Sequence, residues 1–212
     1  EREEYKNKVI SQTVNKSINF IDVHKEKVKE DAKSHVYDIE NFSFSYAYSE
    51  QKSKDVNTER DLRKEYDGNV SYQYSPHPPS LEPFKNSEAF SSPYLQLIKD
   101  INFSPLPNNF SVRASMNRVF RKRQLRNADL TTDGIDPNYE KYFTFNRAYN
   151  VRWSIFKSLS VNYNATANAI VDEPEGDIDT QAKRDSIWNN VKRLGRMKSY
   201  DQSIGANYRL PL

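Results

Sequence analysis

The side chains able to do chemistry are few and scattered. Three histidines, His24, His35 and His77, sit in polar stretches without the spacing that lets two side chains share a metal ion. There is no cysteine, which removes disulfides, zinc ribbons and thiol nucleophiles together. Gly68, Gly134, Gly176, Gly195 and Gly205 lie too far apart to build a phosphate-cradling loop. The densest carboxylates are Asp172, Glu173, Glu175, Asp177 and Asp179, oxygen ligands of the kind that hold calcium. Pro174 interrupts them and the spacing departs from an EF-hand, so a solvated acidic loop is the better reading. Arg121, Lys122, Arg123 and Arg126 form the one basic cluster, next to Phe120. Such a cluster can neutralise phosphates of nucleic acid or lipid. The neighbouring aromatic points instead to a charged strand end above an aromatic belt, and a net charge of +3 gives nucleic acid no support. No acid–base pair, metal set or activated nucleophile converges. An enzyme is the least expected class, with no catalytic, cofactor-binding or metal residue assigned and no cofactor expected.

The elements behind these residues have an unusual composition. Of 212 residues only 36% are apolar, and the 5 glycines do not bring that share to the ~45–50% of ordinary globular chains. Aromatics make up 13%, which argues against simple disorder. No apolar run approaches the ~18 residues of a transmembrane helix. The opening Glu1-Arg2-Glu3-Glu4 has no signal-peptide character and lacks an initiator Met, so a mature chain or an internal piece is expected.

The clearest pattern has the period of two that marks a strand. Phe42, Phe44, Tyr46 and Tyr48 alternate with Ser43, Ser45, Ala47 and Ser49, and Val70, Tyr72 and Tyr74 with Ser71 and Gln73. Phe110, Val112, Ala114 and Met116 alternate with Ser111, Arg113 and Ser115. Phe143, Phe145, Tyr149, Val151, Trp153 and Ile155 share one face, Arg147 being the exception, opposite Asn146, Asn150 and Arg152. Val161, Tyr163, Ala165, Ala167 and Ala169 face away from Asn162, Asn164 and Asn168. Ile204, Ala206, Tyr208 and Leu210 close the series, and a weaker strand covers 14–23. The expected fold is all-β: about seven antiparallel up-and-down strands, a segment of a transmembrane β-barrel.

Several runs match the ~9–11 residues that cross a bilayer. Lys157-Ser158 is the only break between two of them, a tight hairpin. On the other side the breaks read as long and charged, over 50–68, 121–141 and 171–201. Short turns at one end and long loops at the other is the asymmetry of an outer-membrane barrel. Residues 75–109 carry seven of the ten prolines and read as a non-strand insert, with a helical turn around Tyr94, Leu95, Leu97 and Ile98. Within 171–201, Ile187, Trp188, Val191 and Leu194 form a helical stripe, with Asp179 or Thr180 as cap and Gly195 as stop.

The two strand faces suit a barrel wall better than a sandwich, whose outer face usually shows Lys and Glu. Ser43, Ser45, Asn146, Asn150, Arg152, Asn162, Asn164 and Asn168 make a small, mostly neutral polar face expected to line a water-filled lumen. Phe42, Phe44, Tyr46, Phe143, Phe145, Tyr149, Trp153, Tyr163 and Tyr208 are expected to face lipid, with rings at the headgroup level.

The runs Ser71-Tyr72-Gln73-Tyr74-Ser75, Leu81-Glu82-Pro83-Phe84-Lys85 and Ile98-Lys99-Asp100-Ile101-Asn102-Phe103-Ser104-Pro105-Leu106-Pro107 carry a resemblance. So do Met116-Asn117-Arg118, Gln124-Leu125-Arg126-Asn127, Arg184-Asp185-Ser186-Ile187-Trp188-Asn189-Asn190, Leu194-Gly195-Arg196 and Ala206-Asn207-Tyr208-Arg209-Leu210-Pro211-Leu212. Over most of 40–212 the chain resembles the SprA/Sov family, the giant outer-membrane translocon of the type 9 secretion system of the Bacteroidota, which is also tied to gliding motility. The resemblance implies a single-chain barrel of ~36 strands that passes folded cargo bearing a C-terminal sorting domain. It also implies a PorV-type shuttle barrel at a lateral opening and a periplasmic plug protein as partners, and no catalytic residue. Family members are far longer, so residues 1–212 would be part of one barrel domain. The alternatives are a small self-contained outer-membrane pore or adhesin, and a soluble β-sandwich binding module.

Overall fold

The computed structural model describes residues 3, 6, 9–26, 35–76, 81–83, 102–127 and 134–209. Seven strands occupy most of them: β1 Gln12–His24, β2 Phe42–Lys54, β3 Thr58–Tyr74, β4 Asn109–Leu125, β5 Asn138–Phe156, β6 Leu159–Ile170 and β7 Arg196–Tyr208. Each pairs antiparallel with its chain neighbour, in the order β1-β2-β3-β4-β5-β6-β7. The expected all-β, seven-stranded, up-and-down architecture is therefore the fold of the described residues, and a short helix, α1, covers Gln181–Lys192. Among the described residues β1 and β7 do not pair with each other, and each leaves one edge of the sheet open.

Strand register converts the sequence alternation into two faces. One row across the sheet runs Phe42, Tyr72, Val112, Tyr149, Ala165, and the next runs Phe44, Val70, Ala114, Arg147, Ala167. Between them, on the opposite face, lies Ser43, Ser71, Arg113, Ala148, Thr166. Aromatic neighbours meet across strands: Phe42 and Tyr72 ring centroids are 4.8 Å apart and those of Tyr48 and Tyr66 are 5.0 Å apart. Each such cross-strand pair contributes roughly 0.2–1 kcal/mol over Ala–Ala.

The strands are long. β3 and β4 have 17 residues each and β5 has 19, so β5 extends for roughly 60 Å at ~3.4 Å per residue. This length corrects the reading of 50–68 as a charged loop. Glu50 to Lys54 belong to β2, Thr58 to Gly68 belong to β3, and only Asp55-Val56-Asn57 turn between them. The charged side chains here pair along and across the strands instead of entering a loop. Glu50 meets Lys52 at 2.9 Å and Lys64 at 3.7 Å, and Arg121 on β4 meets Asp61 at 2.7 Å.

Loop asymmetry is corrected with it. The end of the sheet that carries α1 has the tight turn after β2 together with the connections 126–137 and 171–195. The opposite end has the Lys157-Ser158 hairpin together with the connections 25–41 and 75–108. Long connections thus occur at both ends. Much of the proline-rich insert, including the turn expected around 94–98, lies outside the described residues, as do His77 and Leu210. Its described end runs beside β5, where the Trp153 indole N–H donates to the Ser104 carbonyl at 2.8 Å and the Asn108 amide to the Arg152 carbonyl at 2.8 Å.

The β2–β3 turn has its own lock. The Asp55 carboxylate accepts from the backbone N–H of Thr58 at 2.6 Å and of Asn57 at 2.8 Å. These bonds, that from Thr58 first, hold its carboxyl below the usual carboxylate range. The lock is complete above the unfolded value of ~3.9 and is lost as pH falls through the lowered folded value. Relative to intrinsic exchange, Asp55→Ala should speed hydrogen exchange at the Asn57 and Thr58 amides at neutral pH, with Asp55→Asn between the two. Wild-type exchange should rise in the same way only in acid; an unchanged rate in Asp55→Ala would show that the strands alone hold the turn.

Candidate functional site

Among the described residues no three carboxylate or histidine side chains gather as a metal set. The features able to act on another molecule are the two broad faces of the sheet and the loop that covers part of one.

The polar face holds every residue expected on it. Ser43, Ser45, Asn146, Asn150, Arg152, Asn162, Asn164 and Asn168 share one side by register. Their polar groups are used on one another. The Ser43 and Ser71 hydroxyls are 2.6 Å apart, Asn150 donates to Asn164, and Asn117 donates to Asp67. Asn168 donates to the Ser199 hydroxyl at 2.9 Å, and Arg152 to the Asn162 amide oxygen at 3.3 Å. Such a wall offers water neutral amides and hydroxyls, many of them bonded to their neighbours, while the Asn69 amide oxygen is buried without a partner among the described residues. It can stay wet without gripping any one ligand.

Phe42, Phe44, Tyr46, Tyr149, Trp153, Tyr163 and Tyr208 lie on the other face as expected. Phe42, Phe44 and Tyr208 are exposed there. Phe143 and Phe145 require a correction. They point to the same side but are only 8% and 5% exposed, because the chain after β6 folds back over them. Val171 and Ile187 close on the two rings, with Ile178, Val191, Ala114 and Met116 around the rim. The direct exposure to lipid expected of Phe143 and Phe145 is taken by the protein itself.

The covering segment is positioned by its ends. Val171 extends β6 by one bond, its N–H donating to the Phe143 carbonyl at 2.9 Å. The Thr180 hydroxyl caps α1 by accepting from the Lys183 N–H at 3.4 Å, and Gly195 ends it with φ +70°. A Cβ at Gly195 would lie 2.8 Å from the Ile170 carbonyl oxygen, so both the left-handed turn and the close approach require glycine. Cap and stop are the residues expected from the pattern.

Between those ends the acidic run finds cations rather than a metal. Arg118 makes a two-pronged pair with Glu173 at 2.6 and 3.0 Å, and the Glu173 side chain is 3% exposed. Lys122 reaches Asp177 at 2.7 Å, Arg196 meets Asp172 at 3.0 Å, and Lys183 meets Asp179 at 3.2 Å. Lys141 donates to the Pro174 carbonyl at 2.6 Å. The basic cluster is therefore divided. Arg121 turns to Asp61 on one face, Lys122 to Asp177 on the other, and Arg126 donates to the Val56 carbonyl at 3.2 Å. Arg118 and Lys141 escaped the sequence reading, which followed runs of charge. Their signal is a cation at a position in step with the apolar side of its strand.

The Asp177 and Asp172 carboxyls are held below the usual range, chiefly by hydrogen bonds from Lys122 and Arg196 respectively. Their anchoring is complete above the unfolded value of ~3.9 and is lost as pH falls below it. Arg118→Met leaves a buried carboxylate without its partner and should loosen the docked segment by about 3–5 kcal/mol, most of it recovered in Arg118→Met with Glu173→Met. Hydrogen exchange across 181–192 reads the docking. Equal loosening in the single and double variants would show that the pair is not the anchor. Compared with protein-family models and with curated proteins, this sequence finds no match.

Proposed function

We propose that this chain is part of the wall of a protein-conducting outer-membrane β-barrel, of the type 9 secretion kind that its sequence resembles. One observation carries the reading: a continuous up-and-down sheet keeps a neutral, wet face on one side and an exposed aromatic face on the other. On β5 the apolar residues from Phe143 to Trp153 span eleven positions. At ~3.4 Å per residue and a tilt of ~40° these positions rise about 26 Å, but Phe143 and Phe145 at one end lie under the chain after β6, so the part open to lipid is shorter than the ~25 Å band of outer-membrane barrels. Past Phe143 the strands become charged on both faces, as strands do once both sides meet water.

In this reading the sheet acts as a passive conduit without a cofactor. The amide and hydroxyl face lines the path of folded cargo proteins with C-terminal sorting domains, and the aromatic face meets lipid. The open edges of β1 and β7 support membership of a larger barrel, because backbone groups in hydrocarbon have to be paired. They take further strands, and a PorV-type shuttle barrel and a periplasmic plug protein complete the assembly. A small self-contained barrel would need β1 to pair with β7 and an even strand number.

The functional test is an in-frame deletion of 138–170, the β5–β6 hairpin, from the natural full-length protein in its host. Cargo with C-terminal sorting domains should leave the cell surface and accumulate in the periplasm; unaffected export would overturn the conduit. The wall itself is tested by two arginines. Val151→Arg, in the apolar band, should cost about 2–4 kcal/mol of folding stability, whereas Thr166→Arg, opposite Asp201 on the polar face, should be tolerated. Heat-modifiable mobility of the full-length protein reads both, and equal losses would sink the assignment of faces.

A further inference from the structure

The helix α1 lies on the apolar face, and its sides have different neighbours. Ile187 and Val191 meet the sheet. On one flank Lys183 and Asn190 donate to the carbonyls of Asp177 at 2.7 Å and Asp172 at 2.8 Å. That flank lies against the acidic segment, which is displaced toward the charged strand ends because it reaches Arg118, Lys122 and Lys141. With 3.6 residues per turn, Arg184, Trp188 and Lys192 fall at i, i+4 and i+8 on the opposite flank. They are turned toward the open part of the aromatic band, and all three are exposed, Trp188 at 62%.

The charges on that flank are left over. Asp172, Glu173, Asp177 and Asp179 are taken by Arg196, Arg118, Lys122 and Lys183, and Asp185 accepts from Gln181 at 2.9 Å. Arg184 and Lys192 have no carboxylate partner among the described residues. A third cation rises from the sheet on the same side. Arg147 is two residues from Phe145, away from the acidic segment, with its guanidinium 5.3 Å from the Phe145 ring centroid. Its Nε is buried without a hydrogen-bond partner among the described residues.

We propose that this flank of α1, with Arg147 beneath it, docks the phosphate-bearing headgroups of anionic lipid and so sets the level of the wall in the bilayer. The proposal rests on the membrane reading above. Trp prefers the headgroup level, where its ring is in apolar surroundings and its N–H is wet. Arginine forks onto phosphate oxygens, and lysine adds a point charge. The site is continuous with the exposed aromatic band, so a lipid seated there keeps its tails on that band and its phosphate at the cations.

The test uses the natural full-length protein in nanodiscs, its other cysteines removed, with a fluorophore on Trp188→Cys or Val151→Cys. Brominated phosphatidylglycerol and brominated phosphatidylcholine are compared as quenchers. Both positions should be quenched, and position 188 should prefer the anionic lipid. Arg184→Gln with Lys192→Gln should reduce that preference by roughly 25-fold, since each cation at an anionic surface is worth about a factor of five, and leave position 151 unchanged. Quenching at 151 but not at 188 would overturn the docking site and leave the barrel standing. No lipid quenching at either position would overturn both. Shielding of position 188 from aqueous iodide without lipid quenching would place a protein partner there and overturn the lipid assignment.

Discussion

Side chains on a strand alternate between two sides, so pairing seven strands in register commits every residue to a face at once. A slip of one residue in any pair would move an entire apolar set to the polar side. The register here keeps Phe42, Tyr72, Val112 and Tyr149 in one row and Ser43, Ser71, Arg113 and Ala148 in the row beside it. Irregularities between Phe20 and Val23, Thr58 and Arg60, Ser154 and Phe156, and Asn168 and Ala169 all fall near strand ends, where the pairing can absorb them. The neutral character of one face and the aromatic character of the other both follow from that commitment.

The segment between β6 and β7 is built on the same register. Because Arg118 and Lys122 are in step with Met116, and Lys141 with Phe143, their charged ends emerge on the apolar side just beyond the rings. An acidic strand connection can then be held by cations while its helix covers Phe143 and Phe145. Removing two rings from solvent and satisfying Glu173 are one event, since neither happens unless the chain crosses back over β5 to β4. The crossing engages Asp172, Glu173, Asp177 and Asp179 with other cations and leaves Arg184 and Lys192 on the outer flank of α1 without a carboxylate partner among the described residues.

In the functional proposal the two faces have opposite tasks. A conduit for folded proteins gains from a surface whose polar groups are satisfied internally, because a wall of strong unpaired charge would hold cargo rather than pass it. The Asn150–Asn164, Asn168–Ser199 and Ser43–Ser71 bonds have that character. The aromatic face is continuous across β2 to β6 and interrupted in the covered region by protein, so contact with lipid would be graded along the strand rather than uniform.

The local patterns were legible before any fold was known. Alternation in Phe42 to Tyr48 and in Phe143 to Ile155 identifies strands and sorts their faces, because strand periodicity is a property of the backbone alone. The Ile187–Val191 stripe, the Thr180 cap and the Gly195 stop mark α1 for the same reason, and the Lys157-Ser158 hairpin follows from two abutting runs. What lay beyond the apolar band was not legible. The pairing of Glu50 to Ser53 with Asp61 to Lys64 has no hydrophobic period, since water meets both faces of those strand ends, and only the neighbouring strands show that the ladder continues. The capture of Glu173 by Arg118 joins residues 55 positions apart, and the cover brings Val171 and Ile187 back onto Phe143 and Phe145. Such contacts depend on where the chain returns in space, and only the assembled sheet, with β4 and β5 side by side beneath the connection, decides that.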